Sequence, residues 1–270
     1  MRAHAARMIA RVVAIASAVV LAATVGPAFA MVNGAPDHAH PEAGALYFSD
    51  TPAGARHFAC SGALIDTQVF LTAAHCFAGY YRAHGSLPVA WVTFDRAPTA
   101  SGTFYTGPIV LDPHFDKTTT NNTLYAHDIY DFAVVHLTQD PGITPAQLPA
   151  AGQDATLPTG QPLTVVGFGT SATQGGGPPT YPPTGQREAA GLALRTVTPS
   201  WLHESQNPSL GYGGACAGDS GGPNYIADTH IIIATTITGD MVCRATNVSI
   251  RLDTPAARSF LATQVSYPLP

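Results

Sequence analysis

A serine held among glycines is the first feature of this sequence that could perform chemistry. Ser220 lies in the segment CAGDSGGPNY, with Asp219 directly before it and Gly218 one position earlier. A serine hydroxyl is a weak nucleophile until a neighbouring base takes its proton, and that base works best when a third group orients it. Serine is also common in glycine turns. The segment therefore predicts a nucleophile only if the rest of the chain supplies a base and an acid.

A histidine and an aspartate elsewhere in the chain are candidates for those two roles. His75 ends the apolar run of LTAAHC, directly before Cys76, where its motion would be restricted. A structural histidine at a strand end is the other interpretation. In HDIYDFAVVHL both Asp128 and Asp131 are candidate acids. We favour Asp131, because it immediately precedes a buried strand and can point between two β units, whereas Asp128 is better placed to cap the preceding loop.

Short apolar and β-branched runs recur between glycine- and proline-rich turns and must position these residues. The runs are FACSGALI, VFLTAA, VAWVTF, GPIVL, FAVVHL, LTVVGFG, LALRTV, HIIIATTI and NVSIRL. Their length and spacing predict an all-β barrel or sandwich. The segment 138–161 is rich in Pro, Gly and Ala and reads as a linker between two β halves. Helical periodicity occurs only in DTPAARSFLATQV, where Thr254 can cap a C-terminal helix and Pro255 suits its first position.

The first 30 residues indicate where the protein acts. They begin with three arginines, continue as an apolar run and end in Ala28-Phe29-Ala30, which predicts a secretory signal peptide with its cleavage site. A membrane anchor is the alternative, since the apolar run is long enough to be considered one. The remainder carries nine basic against 17 acidic side chains, with Lys117 its one lysine. This balance argues against a nucleic-acid partner.

Four cysteines, all after the signal peptide, predict two disulfides in an exported chain. The spacing favours one local pair in each half, Cys60 with Cys76 and Cys216 with Cys243, although the sequence alone allows three connectivities. The sequence contains no CxxC motif and no histidine-rich cluster. We therefore predict no metal site and no cofactor.

Four segments together resemble the successive signatures of the chymotrypsin/trypsin family of serine proteases: HFACSGALI, LTAAHC, DFAVVHL and GDSGGP. The chain order His75, Asp131, Ser220 also matches that family, and the resemblance covers nearly all of residues 31–270. It implies two six-stranded antiparallel β-barrels with the active site in the cleft between them, followed by a C-terminal α-helix. The corresponding ranges are about 31–140 for the first barrel, about 160–252 for the second and about 254–265 for the helix.

The resemblance also assigns roles to the site residues. Ser220 would attack the scissile carbonyl, His75 would take and return its proton, and Asp131 would orient the imidazole. The backbone N–H groups of Gly218 and Ser220 would form the oxyanion hole. GDSGG also fits the G-x-S-x-G elbow of α/β-hydrolases, but that fold needs its histidine after the serine. The only later histidine, His230, lies in a strand-like run, so this alternative fails.

The family's activation step predicts a further pair of residues. In the family a newly freed N-terminus inserts beside the nucleophile and pairs with the Asp that precedes it. Here cleavage after Ala30 would expose MVNG, which resembles the family's Ile-Val-Gly-Gly start. We therefore expect the ammonium group of Met31 to pair with Asp219. A short propeptide, trimmed later, is the alternative.

The pocket residues that match the family predict substrate preference. Gly214 stands six positions before the serine, where trypsin-like members carry an Asp, and it has no charge to attract Lys or Arg. Ala215 and Gly239 suggest an open, mostly apolar pocket, and Asn247 is a further candidate for its lining. We expect a neutral aromatic or large apolar residue before the cut bond. Thr236 or Ile237 replaces the serine that in the family bonds the catalytic Asp.

The sequence thus predicts a secreted serine endopeptidase, extracellular and monomeric, that forms an acyl-enzyme intermediate. Its expected partners are a polypeptide substrate and, as the family allows, a proteinaceous inhibitor. After signal cleavage we expect no membrane association. A catalytically silent relative that uses the fold for binding is the chief alternative. Esterase or acyl-transfer activity at the same site is a third possibility, since it shares the acyl-enzyme step.

Overall fold

The computed structural model of the protein describes residues 31–118, 128–170 and 185–270. The expected signal peptide, residues 1–30, lies outside these ranges. The described ranges contain strands, two α-helices and two short 3-10 helices at Gln153–Thr156 and Pro208–Leu210. Among the described residues, no helix is long and apolar enough to cross a membrane.

The first half forms one antiparallel sheet in the order β6-β5-β2-β3-β4-β8-β7. Its strands are β2 (Ala43–Ser49), β3 (His57–Asp66), β4 (Val69–Thr72), β5 (Val89–Thr93), β6 (Tyr105–Thr106), β7 (Ile109–Leu111) and β8 (Ala133–His136). The sheet is a half-barrel of seven strands rather than the closed six-stranded barrel expected here, because no pairing joins β6 to β7 among the described residues. Both edge strands are only two or three residues long and offer few backbone groups for closure.

The second half forms a closed barrel. Its strands are β9 (Pro162–Gly167), β10 (Glu188–Val197), β11 (Trp201–Ser205), β12 (Pro223–Ile226), β13 (Ile232–Gly239) and β14 (Thr246–Arg251). They pair in the order β10-β11-β14-β13-β12-β9, and β9 pairs back onto β10 to close the ring. The short strand β1 (Ala35–Pro36) adds to the edge of β10. This is the six-stranded antiparallel barrel that the family resemblance implies for this half.

Two α-helices complete the described part of the fold. The C-terminal helix α2 (Pro255–Leu261) confirms the expected one, and the Thr254 side chain caps it by accepting a hydrogen bond from Ala257 N at 3.2 Å. Helix α1 (His75–His84) was not expected. Only Phe77 and Ala78 of α1 are fully buried, so the helix carries too little apolar periodicity to be recognised in the sequence.

A shared apolar core holds the two halves together. Buried side chains of the first sheet, including Val69 and Phe132, belong to the same cluster as Ile232 and Ile250 of the barrel and Phe260 of α2. Burial of such a cluster is favourable by roughly 25 cal/mol per Å² of apolar surface. The two β units therefore abut firmly, and loops from both meet at their junction.

Candidate active site

His75 is fixed at the start of α1, directly after the fully buried strand β4. The neighbouring Cys76 is bonded to Cys60 of β3, as the sequence predicted, with a Cα–Cα distance of 6.3 Å. The disulfide and the helix start restrict the backbone on both sides of the imidazole. The His75 side chain retains 15% of its surface exposed, so it can still reach a substrate.

Asp131 meets His75 because of the strand register. In the antiparallel pair β4–β8, Thr72 lies opposite Ala133, so the residues after β4 face the residues before β8. Asp131 accepts two hydrogen bonds from His75: one from its backbone N at 2.8 Å and one from Nδ1 at 2.7 Å. The Asp131 side chain is fully buried. This two-point contact holds the ring and puts its proton on Nδ1, so Nε2 is the ring nitrogen that can accept a proton.

The electrostatics of the pair suit a general base. Burial lowers the pKa of His75, but the charge of Asp131 and its hydrogen bond outweigh that effect and raise the pKa above its usual value. A carboxylate beside an imidazole stabilises the protonated form in this way. His75 can therefore accept a proton and hold it while a reaction proceeds.

Ser220 lies on a tight loop pressed against the segment that precedes His75. Its carbonyl accepts a hydrogen bond from Ser61 N at 2.9 Å, and Gly221 N donates to the Thr236 carbonyl at 2.7 Å. Gly221 has φ +77°, and a Cβ at that position would clash with Thr72. Only glycine can occupy this position. The serine loop therefore packs against Thr72 and Ala73, two to three residues before His75.

The hydroxyl of Ser220 forms no hydrogen bond within the described part of the chain. The structure joins His75 to Asp131 directly and brings the Ser220 loop alongside the segment that precedes His75.

Two backbone donors beside Ser220 are left without a protein acceptor. Gly218 has φ +92°, and a Cβ there would lie 2.7 Å from the Phe58 ring. Its carbonyl accepts from the Ser61 hydroxyl at 3.0 Å, which fixes the peptide between Gly218 and Asp219. Over the described ranges, neither Gly218 N nor Ser220 N donates to a protein atom. An arrangement of this kind can bind an oxyanion.

Ser61 is a positioning residue that the sequence reasoning did not single out. It is fully buried on β3, and besides its two contacts with the serine loop its hydroxyl accepts from Phe168 N at 3.0 Å. Its position in the HFACSGALI signature was the available signal, since a polar residue between apolar neighbours of a buried strand needs partners.

The expected pairing of Met31 with Asp219 is not the contact found in the structure. Met31 is fully buried, and its backbone N–H donates to Glu188 Oε2 at 3.1 Å. Asp219 instead accepts from Gly169 N and Cys216 N, each at 2.8 Å. The chain is continuous before Met31, so this nitrogen is a peptide N–H, and β10 brings Glu188 to it first.

Asp219 and Glu188 are two fully buried carboxyl groups that interact. Burial raises the pKa of Asp219 to about 7; the hydrogen bonds from Cys216 and Gly169 oppose this rise, and the charge of Glu188 adds to it. Such a site favours the arrival of a positive charge, because an unpaired carboxylate in the interior is costly.

A cavity of about 370 Å³ opens beside Ser220. Three of the four expected pocket residues, Ala215, Gly239 and Asn247, line it. Gly214 does not, because the fully buried side chain of Gln206 packs against it, in the space that a side chain at 214 would need. The second disulfide, Cys216–Cys243, is also confirmed and forms part of the wall.

Asp240 is a lining residue that the sequence reasoning missed. Its carboxylate accepts hydrogen bonds from the backbone N–H groups of Arg244, Ala245 and Thr246 and from the Gln206 side chain. Burial acts to raise the pKa of Asp240, but these donors lower it below the usual value. The oxygens of the Asp240 carboxylate are therefore occupied by these hydrogen-bond donors, and the residue shapes the pocket wall.

Thr236, one of the two candidates for the position of the family's serine, is bonded through its backbone to both Gly221 and Gly222. Its hydroxyl accepts from the Asn224 amide at 3.0 Å, and Asn247 in turn donates to Asn224 at 3.4 Å. Ile237, the other candidate, is 6% exposed and packs in the shared core. Behind the cavity wall there is thus a buried chain of side-chain amides.

Among the described residues, one group of three potential metal ligands lies close enough together to share an ion: Cys60, His75 and Cys76. The two sulfurs are joined in the disulfide. Since a thiolate is the form that binds metal, this group offers no thiolate ligand.

Comparisons with known proteins agree with this geometry. A family model described as Trypsin matches residues 32–258. No curated protein matches the sequence significantly. A solved structure described as HL collagenase superposes with a TM-score of 0.64 at 18% sequence identity, covering 87% of this chain and 100% of that one. At that identity the structural likeness supports the fold alone.

Proposed function

Since this chain belongs to the trypsin family of serine proteases, we propose that it is a secreted serine endopeptidase whose triad is Ser220, His75 and Asp131. Membership of the family implies peptidase function and polypeptide substrates. The observation that carries the triad is the two-point contact between Asp131 and His75, next to a serine loop with two unpaired backbone donors.

The reaction proceeds in two halves. Ser220 Oγ bonds to the scissile carbonyl carbon as its proton passes to His75 Nε2, and the carbonyl electron pair moves onto oxygen. Gly218 N–H and Ser220 N–H bind that oxyanion; loss of one such donor costs roughly 3–4 kcal/mol. The tetrahedral intermediate collapses, the C–N bond breaks, and His75 protonates the leaving amine. Water then attacks the acyl-enzyme by the same route and frees Ser220.

Proteolysis of a denatured protein tests this function. The purified chain should cut denatured casein, and Ser220→Ala should lower the rate by at least about 10³-fold. Ser209→Ala is the matched control, because Ser209 is an exposed serine on a surface 3-10 helix. Hydrolysis that persists in Ser220→Ala would contradict the proposal. A native chain that cuts neither amides nor esters would favour a silent binding module.

Substrate preference follows from the cavity beside Ser220. The small residues Ala215 and Gly239 leave the cavity open. Asp240, the acidic residue in its lining, already accepts hydrogen bonds from backbone N–H groups. We therefore propose that a neutral aromatic or large apolar side chain occupies it. Mapping cut sites in a peptide library by mass spectrometry checks this, and cleavage chiefly after Arg or Lys would refute it.

Activation would follow from cleavage after Ala30. The new ammonium group of Met31 would form where its N–H already donates to Glu188, with Asp219 alongside. Burial of that charge is tolerable only because it is paired. We propose that Glu188 receives the ammonium and that the pair supports the Asp219 loop. N-terminal sequencing of the secreted protein tests the first step, and a start well beyond Asn33 would exclude it.

Export is supported by the amino-terminal sequence and by the two disulfides. Disulfides persist in oxidising compartments and are rare in the cytosol, and trypsin-like proteases with disulfides are commonly extracellular. Detection of the processed chain in culture medium, with no full-length precursor in the membrane fraction, is the expected result. A chain retained in membranes would instead indicate an uncleaved anchor.

A further inference from the structure

Two histidines far from the candidate active site form a second cluster of potential ligands. His40 lies just before β2, and His230 lies in the turn between β12 and β13. Their ring centroids are 5.4 Å apart, with the ring planes inclined at 53°. One histidine belongs to the amino-terminal segment and the other to the closed barrel, so the pair spans two parts of the chain that are distant in sequence.

Each imidazole is oriented by a buried carboxylate through the same ring nitrogen. His40 Nδ1 lies 2.9 Å from Asp37 Oδ1, and His230 Nδ1 lies 2.8 Å from Glu42 Oε1. The carboxylate side chains are only 3% and 2% exposed. A carboxylate accepts hydrogen bonds, so the proton lies on Nδ1 and the lone pair on Nε2. In the described ranges, neither Nε2 atom has a protein hydrogen-bond partner.

The surroundings hold this cluster rigidly. Arg187 Nε donates to the second oxygen of Asp37 at 3.0 Å, and the His40 ring stacks on the buried Tyr225 ring at 4.5 Å. The carboxylate behind His40 is therefore held by an ion pair with Arg187 as well as by its contact with the imidazole. The His230 side chain is 52% exposed, so the cluster is open to solvent.

The spacing of the two rings suits a shared metal ion. Zinc binds histidine nitrogen at about 2.0–2.1 Å in tetrahedral geometry, which puts the centroids of two coordinating rings about 5 Å apart. Metal-binding histidines commonly donate their other N–H to a carboxylate, and that contact fixes the tautomer and raises the basicity of the ligand. Imidazole ligands suit zinc, copper and nickel, whereas calcium and magnesium prefer oxygen.

We propose that His40 and His230 bind one divalent transition-metal ion of the zinc class through their Nε2 atoms, with water completing the coordination. The ion would tie the amino-terminal segment, which also carries Met31, to the β12–β13 turn of the barrel. A ligand that binds only the folded chain stabilises it by mass action. Zinc should therefore raise the melting temperature without taking part in peptide hydrolysis.

Calorimetric titration with ZnCl₂ tests the site. The chain should carry Ser220→Ala, so that it cannot digest itself. We expect one high-affinity zinc per chain, and at least about tenfold weaker binding in His230→Ala. CaCl₂ and MgCl₂ should give no binding at this site. His230 is half exposed, and its replacement should leave the fold intact, which circular dichroism verifies.

His114→Ala is the matched control. His114 also has its Nδ1 against a buried carboxylate, Asp112 at 3.1 Å, but the ring packed on it is Tyr130 rather than a second imidazole. Its variant should bind zinc as well as the parent does. Absence of zinc binding by the parent chain, or equal affinity in His230→Ala and the parent, would overturn the proposal. A Glu42→Gln variant should weaken binding about 10–100-fold, because it removes the anionic support of His230.

Discussion

Replacement of Asp131 by Asn is the most informative single change in the candidate triad. The substitution keeps the shape of the side chain and one oxygen. That oxygen can still accept the hydrogen bond from His75 N, which is 2.8 Å long with Asp131 in place. It replaces the oxygen that lies 2.7 Å from His75 Nδ1 by an NH₂ group, which donates. The imidazole must then move its proton to Nε2 to avoid two opposed donors. In that tautomer it cannot take the proton of Ser220.

The expected loss is large. In triads of this kind the wrong tautomer lowers kcat about 10⁴-fold, which corresponds to about 5.5 kcal/mol of transition-state stabilisation. The pH profile should change as well. Asp131 raises the pKa of His75 against the opposing effect of burial, so its removal lets that pKa fall. Because His75 must be neutral to act as a base, the acidic limb of kcat/KM should move to lower pH.

Steady-state kinetics on a peptide amide from pH 4 to 10 measures both effects. Asp112→Asn is the control, since Asp112 forms a similar contact with His114 on the surface; it should change neither kcat nor the acidic limb. Circular dichroism confirms that each variant is folded. Activity of Asp131→Asn within tenfold of the parent, or an acidic limb moved to higher pH, would refute the assigned role.

Three further predictions concern stability and activation. Replacing both Cys60 and Cys76 by Ala should cost roughly 3 kcal/mol in denaturant unfolding, since the bridge closes a loop with a sequence separation of 16; no change in the midpoint would contradict this. Burial raises the pKa of Asp154 to about 8, above its value in the unfolded chain, so the free energy of unfolding should fall as pH rises from about 4 towards 8. The Asp154→Asn variant should show a flatter dependence of melting temperature on pH. An unchanged slope in that variant would count against the prediction. In the chain that starts at residue 31, Glu188→Gln should abolish most activity and lower the free energy of unfolding by about 3 kcal/mol or more. A mild effect of Glu188→Gln together with a severe effect of Asp219→Asn would instead identify Asp219 as the partner of the Met31 ammonium group.

Most of the candidate active site could be predicted from short local motifs in the sequence. His75, Asp131 and Ser220 each sit beside a strand end or glycine turn whose residue types restrict the backbone. The pairing of the cysteines followed from their spacing because each bridge is local within its half. The C-terminal helix was recognisable because Thr254 and Pro255 are strong start signals.

Features that depend on strand register could not be predicted in the same way. Glu188 meets Met31, 157 positions earlier, because β10 pairs with both β1 and β9. Gln206 fills the space at Gly214 only because the end of β11 lies against it in the folded barrel. Helix α1 was missed because the disulfide and the contact of His75 with Asp131 fix its start, and both arise from tertiary structure.

Activation of Ser220 as a nucleophile is the central requirement of the proposed function, and a fluorophosphonate probe measures it directly. Mass spectrometry should find one covalent adduct per folded chain, located on Ser220. Labelling should slow at least about 10³-fold in His75→Ala, in keeping with the contribution of a general base. An adduct elsewhere, no adduct on the folded chain, or an unchanged labelling rate in His75→Ala would contradict the account.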